Sequence, residues 1–129
     1  RTARRGRAGA VQPALQLSGF RPVPRRGKGS GVDAPYARLE TVEPGIARVL
    51  AHNPSAFTYY GTQTYLAGEA EVAVIDPGPD LPDHVDALVE AIAGRPVAAI
   101  VCTHTHRDHS PAAAPLAKRT GAPVIGCAP

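Results

Sequence analysis

The chain has 129 residues, which limits it to one domain, and 43% of them are apolar, enough for a globular core. The longest apolar run, Pro96–Cys102, falls far short of the ~20 residues that span a bilayer, so a helical integral membrane protein is excluded. Two cysteines cannot build a disulfide scaffold, and the net charge of +3 hides a split between a basic start and an acidic remainder.

Residues 1–32 carry eight basic side chains and no acidic one, and are rich in Arg, Gly, Pro and Ala. No apolar period of 2 or 3.6 runs through them, so they cannot bury enough to offset the entropy of ordering them. They read as a disordered basic arm reaching to residue 35. A role in binding RNA or DNA phosphates, a transit peptide and a cleaved leader are the functional alternatives to a plain solvated tail. Residues 33–129 carry six basic and eleven acidic side chains, and order is expected from Tyr36 onward. Few cysteines suit a reducing compartment, which makes a cytoplasmic location the expectation. Met is absent and Arg stands first, so the chain is expected to be a piece of a longer protein.

Gly45–Ala51 alternates apolar and other residues and reads as a strand, followed by a turn at His52–Ser55. Phe57–Leu66 is rich in aromatic and β-branched residues and reads as one strand, or two bent at Gly61, with Tyr59, Tyr60 and Tyr65 as sheet residues. One of those tyrosines could instead line a pocket. Glu71–Asp76 is a further strand, stopped by Pro77-Gly78-Pro79. The period then changes. Leu81, Val85, Leu88, Val89 and Ile92 form the stripe of an amphipathic helix, with Asp80 as N-cap, Pro82 in the first turn and Gly94 after its end. His84, with Asp83, Asp86 and Glu90, falls off that stripe toward water, and His52 beside its turn is expected to be solvated too. Pro96–Cys102 suits a strand buried on both faces. Ser110-Pro111 opens a second helix to Thr120, closed by Gly121, and Ala122–Gly126 begins another strand. Cys102 and Cys127 read as small fillers. The β-α-β-α-β order from Val72 predicts parallel strands with right-handed crossovers, preceded by an antiparallel meander. The expected fold class is α/β, a mixed sheet with helices on one face.

The chemistry is concentrated in Thr103-His104-Thr105-His106-Arg107-Asp108-His109, three imidazoles and a carboxylate in six residues. In an extended segment residues i and i+2 point the same way, so His104 and His106 can close on one ion. Asp108 and His109 fall where the chain turns into the next helix and can face a neighbouring point. These donors suit zinc, with iron or manganese as alternatives. They sit past the carboxyl end of a buried strand, where open α/β sheets present their sites. Arg107 could contact either the protein frame or an anionic substrate.

The pattern His104-x-His106-x-Asp108-His109 after an apolar strand resembles the metallo-β-lactamase superfamily. Val74-Ile75-Asp76-Pro77-Gly78 looks like that family's first motif. Gly61–Gly68 is similar to the preceding strand of the glyoxalase II and β-lactamase-like protein 2 branch, with Gln63 where Asn often stands. The resemblance covers residues 45–129 and implies the N-terminal half of an αβ/βα sandwich with a centre of two zinc ions. It implies His104 and His106 on the first metal and Asp108 and His109 on the second. Asp76 becomes a carboxylate that orients the ligand loop through hydrogen bonds. It further implies metal-activated hydroxide attacking an ester, thioester or phosphodiester, with Asp108 able to orient the nucleophile. Further His and Asp ligands stand well downstream in relatives, so only two ligands per metal are present and this part is expected to be inactive alone. The expected partner is a small-molecule substrate, with no membrane partner; nucleic acid is a lesser alternative, and oligomeric state is left open. The rival readings are a nucleic-acid-binding or ribonuclease-type protein working through the basic arm, and a non-catalytic metal-binding fragment.

Overall fold

The computed structural model describes residues 34–126. The basic arm through residue 33 and Cys127 lie outside the described residues. Six strands and two helices follow one another as β1 (Leu39–Glu43), β2 (Ile46–Leu50), β3 (Gln63–Ala67), β4 (Val72–Ile75), α1 (Pro82–Ile92), β5 (Val97–Cys102), α2 (Ala113–Thr120) and β6 (Val124–Gly126). The strands form one sheet in sequence order. β1 through β4 pair antiparallel, whereas β4–β5 and β5–β6 pair parallel, each crossover carrying a helix. The expected α/β class and the change from meander to parallel strands at Val72 both hold.

Val49, Leu66, Val74 and Ile100 point to the same side of the sheet and pack with Leu88 and Ile92 of α1 and Leu116 of α2 in one core. Both helices therefore cover one face. Residues on the opposite face alternate with these. There Glu40, Arg48, Tyr65, Ile75, Val101 and Ile125 stand side by side across all six strands. With helices on one side only, β5 is not buried on both faces as its apolar run suggests. On the face away from the helices Val101 is half-buried, while the small Ala99 beside it is buried.

Four local expectations are corrected. The strand expected over Phe57–Leu66 is confined to β3, and residues 55–61 form turns instead. Ser55 Oγ accepts from the Phe57 and Thr58 N–H groups at 3.2 and 3.1 Å, and Thr58 Oγ1 donates to Asn53 O at 2.6 Å. Short polar side chains thus take the hydrogen bonds that a ladder would need. A Cβ on Gly61 would lie 2.0 Å from Ala51 O, so only glycine lets the chain pass there. Tyr59 and Tyr60 consequently leave the sheet, while Tyr65 remains in β3.

The N-cap of α1 is Leu81, without a side-chain cap, rather than Asp80, and Pro82 takes the first helical position. The helix ends on Ala93, left-handed at φ 55°, and Gly94 follows directly after its end, as expected. α2 starts at Ala113, because Ser110-Pro111 are consumed in the turn that closes the preceding loop. His84 is the largest departure. It is 3% exposed, since the buried face of α1 is His84, Val85, Leu88, Ala91 and Ile92, rotated from the expected stripe. His52, by contrast, is exposed as expected. Among the described residues no helix is long and apolar enough to cross a membrane.

Candidate metal centre

Two loops meet at the carboxyl edge of the parallel strands. The first, Asp76-Pro77-Gly78, follows β4, and the second, Thr103–Ser110, follows β5. They are clamped by main-chain bonds: Gly78 N–H donates to His109 O at 2.8 Å, and Ala112 N–H to Gly78 O at 3.0 Å. Within the second loop His106 O accepts from the N–H groups of His109 and Ser110, at 3.0 and 3.2 Å, turning the chain back. That turn swings His109 toward the end of β4.

Asp76, His104 and His109 each present a ligand atom, and these atoms all lie within 4.8 Å of one another. The other two expected donors lie beside this trio. The His106 ring packs edge-on to His104, centroids 4.6 Å apart, and Asp108 Oδ2 stands 3.2 Å from His109 Nε2. His109 thus spans two carboxylates, with Nδ1 3.2 Å from Asp76 Oδ2. Nδ1 is buried, and that short contact is not aligned as a hydrogen bond, so the nitrogen lacks a hydrogen-bond partner among the described residues. An orphaned imidazole nitrogen beside a carboxylate and a second imidazole is a donor set of the N and O type that divalent zinc takes. The residues present fit a metal ion.

Thr103 ties the cluster together. Its N–H donates to Asp76 Oδ1 at 2.8 Å, and its hydroxyl lies 3.0 and 2.8 Å from Oδ1 and Oδ2. Burial alone pushes the Asp76 carboxyl up, but these bonds from Thr103 and the nearby His109 outweigh it and hold the group below its ordinary 3.8. The carboxylate is therefore ionised at neutral pH and can only accept. The single hydroxyl proton of Thr103 goes to it, so in the 2.8 Å contact between Thr103 Oγ1 and His104 Nδ1 the imidazole donates. That tautomer leaves the lone pair on Nε2 of His104 for an ion. Nearby, burial and then the Asp76 charge push the Cys102 thiol up, consistent with a buried filler. Arg107 is exposed.

Sequence reasoning missed the floor of this site. Asp76 has a left-handed backbone, φ 51°, pinned on both sides: its N–H donates to Val101 O at 2.8 Å and its carbonyl accepts from Thr64 Oγ1 at 2.8 Å. His84 reaches up from α1, with Nε2 3.0 Å from Pro77 O and 3.1 Å from Thr64 Oγ1. The one available signal was the i, i+4 spacing of His84 and Leu88. A recess of about 440 Å³, which shares no lining residue with the donor cluster, is lined by Arg48, Gln63, Thr58, Tyr59 and Tyr60, among others. Arg48 donates to Glu40 at 3.0 Å and to Gln63 at 3.1 Å, and Tyr65 OH to the same Gln63 oxygen at 3.1 Å.

The chain is 37% identical over 79 residues to an atrochrysone carboxyl ACP thioesterase of Aspergillus chevalieri, covering 59% of this chain and 26% of that protein. It is 37% identical over 75 residues to a beta-lactamase-like protein 2 homolog of Caenorhabditis elegans, covering 55% of this chain and 25% of the relative. The match thus spans about a quarter of the length of such relatives. A beta-lactamase domain protein from Burkholderia ambifaria shares the fold, with a TM-score of 0.57 and 19% identity over 75% of this chain and 33% of its own. Residues 58–129, more than half of the sequence, match the metallo-beta-lactamase superfamily, and the chain belongs to that family.

Proposed function

We propose that the chain is part of a metal-dependent hydrolase that cleaves a thioester or another carboxylic ester. The convergence of Asp76, His104 and His109 at the sheet edge carries this reading. The thioesterase name borne by a relative supports the choice of bond. His104 and His109 would hold the ion, with His106 and Asp108, adjoining them on the same loop, completing ligand positions, and Asp76 contributing either as ligand or as the acceptor that orients them. A bound zinc ion supplies Lewis acidity that makes water nucleophilic at neutral pH and polarises a carbonyl. This chain's own residues do the positioning. Thr103 passes the Asp76 charge to His104 and sets its tautomer. Asp108, whose Oδ2 lies 3.2 Å from His109 Nε2, would orient the attacking water. Gln63 begins β3 at the same edge of the sheet as Asp76, so the recess beside it is where the acyl portion of a substrate would extend.

The test is a zinc titration followed through the histidine ring resonances, then thioester turnover by the zinc-loaded full-length protein. Zinc is expected to shift His104, His106 and His109 together while leaving His52 and His84 in place, and H109A is expected to abolish tight uptake. Rings unmoved at millimolar zinc would overturn the metal reading. Tight zinc uptake without turnover of any ester or thioester would leave a metal-binding protein and sink the hydrolase.

A further inference from the structure

We infer that His84 and Thr64 are positioning residues for the donor cluster, a buried pair that holds the Asp76-Pro77-Gly78 turn in the one shape that aims the Asp76 carboxylate at Thr103 and His109. The inference rests on the metal reading above for its importance, but not for its geometry.

Thr64 and His84 have no partner role in the sheet or the helix that requires their polarity. Thr64 is fully buried near the start of β3, and His84 is 3% exposed on α1. Polar groups so placed cost stability unless bonded, and the bonds of Thr64 Oγ1 and His84 Nε2 converge on one short stretch of chain, while His84 Nδ1 has no hydrogen-bond partner among the described residues. Pro77 O can only accept, so the His84 proton is on Nε2, 3.0 Å away. Thr64 Oγ1 donates its own proton to Asp76 O at 2.8 Å and accepts a share of the imidazole proton at 3.1 Å. Two consecutive carbonyls, those of Asp76 and Pro77, are thereby gripped from below. The grip matters because Asp76 is left-handed, a conformation uncommon for a residue with a side chain that persists only where its surroundings over-determine it. The packing leaves no slack. A Cβ on Gly78 would come within 2.9 Å of His84 Nε2 and 3.5 Å of Thr64 Oγ1. The same glycine makes both main-chain bonds that clamp the histidine loop. A shift of the turn therefore moves the Asp76 carboxylate and the backbone of His109 together. His84 and Thr64 touch neither substrate nor ion, and they act through Asp76 and Gly78.

The experiment compares zinc dissociation constants, by competition with a chromophoric chelator, for the full chain and its T64V, H84L, H84Q and I92A variants, each checked for fold by circular dichroism. T64V keeps the volume and removes the hydroxyl. H84L removes the donor, and H84Q restores one to Pro77 O. I92A truncates the far end of α1 and reports destabilisation without touching the turn. T64V and H84L are expected to weaken zinc roughly 10-fold or more, the scale seen for groups that orient metal ligands. H84Q should recover most of that, and folded I92A should bind as the parent does. Folded T64V binding zinc as tightly as the parent would overturn the inference, as would an equal loss in I92A. Should H84L fail to fold, T64V still decides. Should the parent chain take up no zinc, the metal reading falls instead. The His109 ring resonances of the metal-free protein then decide the positioning: T64V must move them, and unmoved resonances refute it.

Discussion

The donor cluster has a dry underside and a wet rim, and the two are made of different materials. Beneath it, Thr64, Pro77, Gly78 and His84 are all buried, and their bonds run to main-chain carbonyls. On the rim, Thr103, Thr105, His106 and Arg107 are exposed, while His104, Asp108 and His109 are half-buried. The rim groups bond mainly to one another. Hydrogen bonds are stronger where water is excluded, so the shape of the site is set from below. The open rim keeps its nitrogen and oxygen atoms accessible. The contrast teaches that substitutions below should act on fold and affinity together, whereas substitutions above should act on affinity alone.

The largest break comes from the core that supports the underside. Leu88 is completely buried between α1 and the sheet. Leu88→Ala is expected to cost about 2–5 kcal/mol, the range for deleting a buried leucine side chain, read as a lowered urea midpoint. A rim substitution such as His106→Ala, at an exposed position, should stay within about 0.5 kcal/mol in metal-free protein. If both moved the midpoint equally, the division into a structural floor and a ligand rim would be wrong.

Gly78→Ala sharpens the comparison at the junction of the two. Gly78 sits at φ 88°, and an added methyl would meet His84 Nε2 at 2.9 Å. The backbone strain alone is of order 1–3 kcal/mol. Gly78 also bonds to the backbone of His109 and Ala112, so the substitution should weaken zinc binding as well as fold, unlike Leu88→Ala in its folded fraction. Denaturation and chelator competition on the same sample check both halves.

The rim was legible in the sequence and the floor was not. Four potential donors in six residues declare themselves, because such density has few structural uses. The parallel strands were equally plain, since the apolar period switches to 3.6 at Leu81 and gives way to a continuous apolar run at Pro96. Residues 55–61 were misread because aromatic content suggested a strand where Ser55, Thr58 and Asn53 bond the backbone locally. β1 escaped notice since Leu39–Glu43 is an edge strand whose last three residues are exposed, leaving little alternation to detect. His84 was placed in water because the helical stripe was drawn through Leu81 and Val89. The partners that make its burial tolerable, Pro77 O and Thr64 Oγ1, come from other elements and have no trace in the local pattern.

The smallest expected effect is a pH dependence that belongs to the underside. Burial holds the His84 pKa below its ordinary 6.5, against the opposing pull of the Pro77 carbonyl. The charged imidazolium is thus disfavoured in the folded state relative to the unfolded one. Above pH 6.5 both states carry the neutral ring and the stability associated with it is fully present. As pH falls below 6.5 the unfolded chain takes up a proton that the folded chain refuses, so stability declines until the folded pKa is passed. Asp76 adds a separate loss at lower pH, because its carboxyl is held below 3.8 in the folded state and its contribution disappears on protonation. His52 and Asp83 line the recess next to His84, and both stay in place in the comparison that isolates it. Urea midpoints of metal-free parent and H84Q, measured from pH 7.5 down to pH 5, should diverge in slope, the parent falling and the variant staying nearly flat. Parallel curves would mean that the imidazole meets water in the folded chain, and the dry underside would lose its sharpest feature.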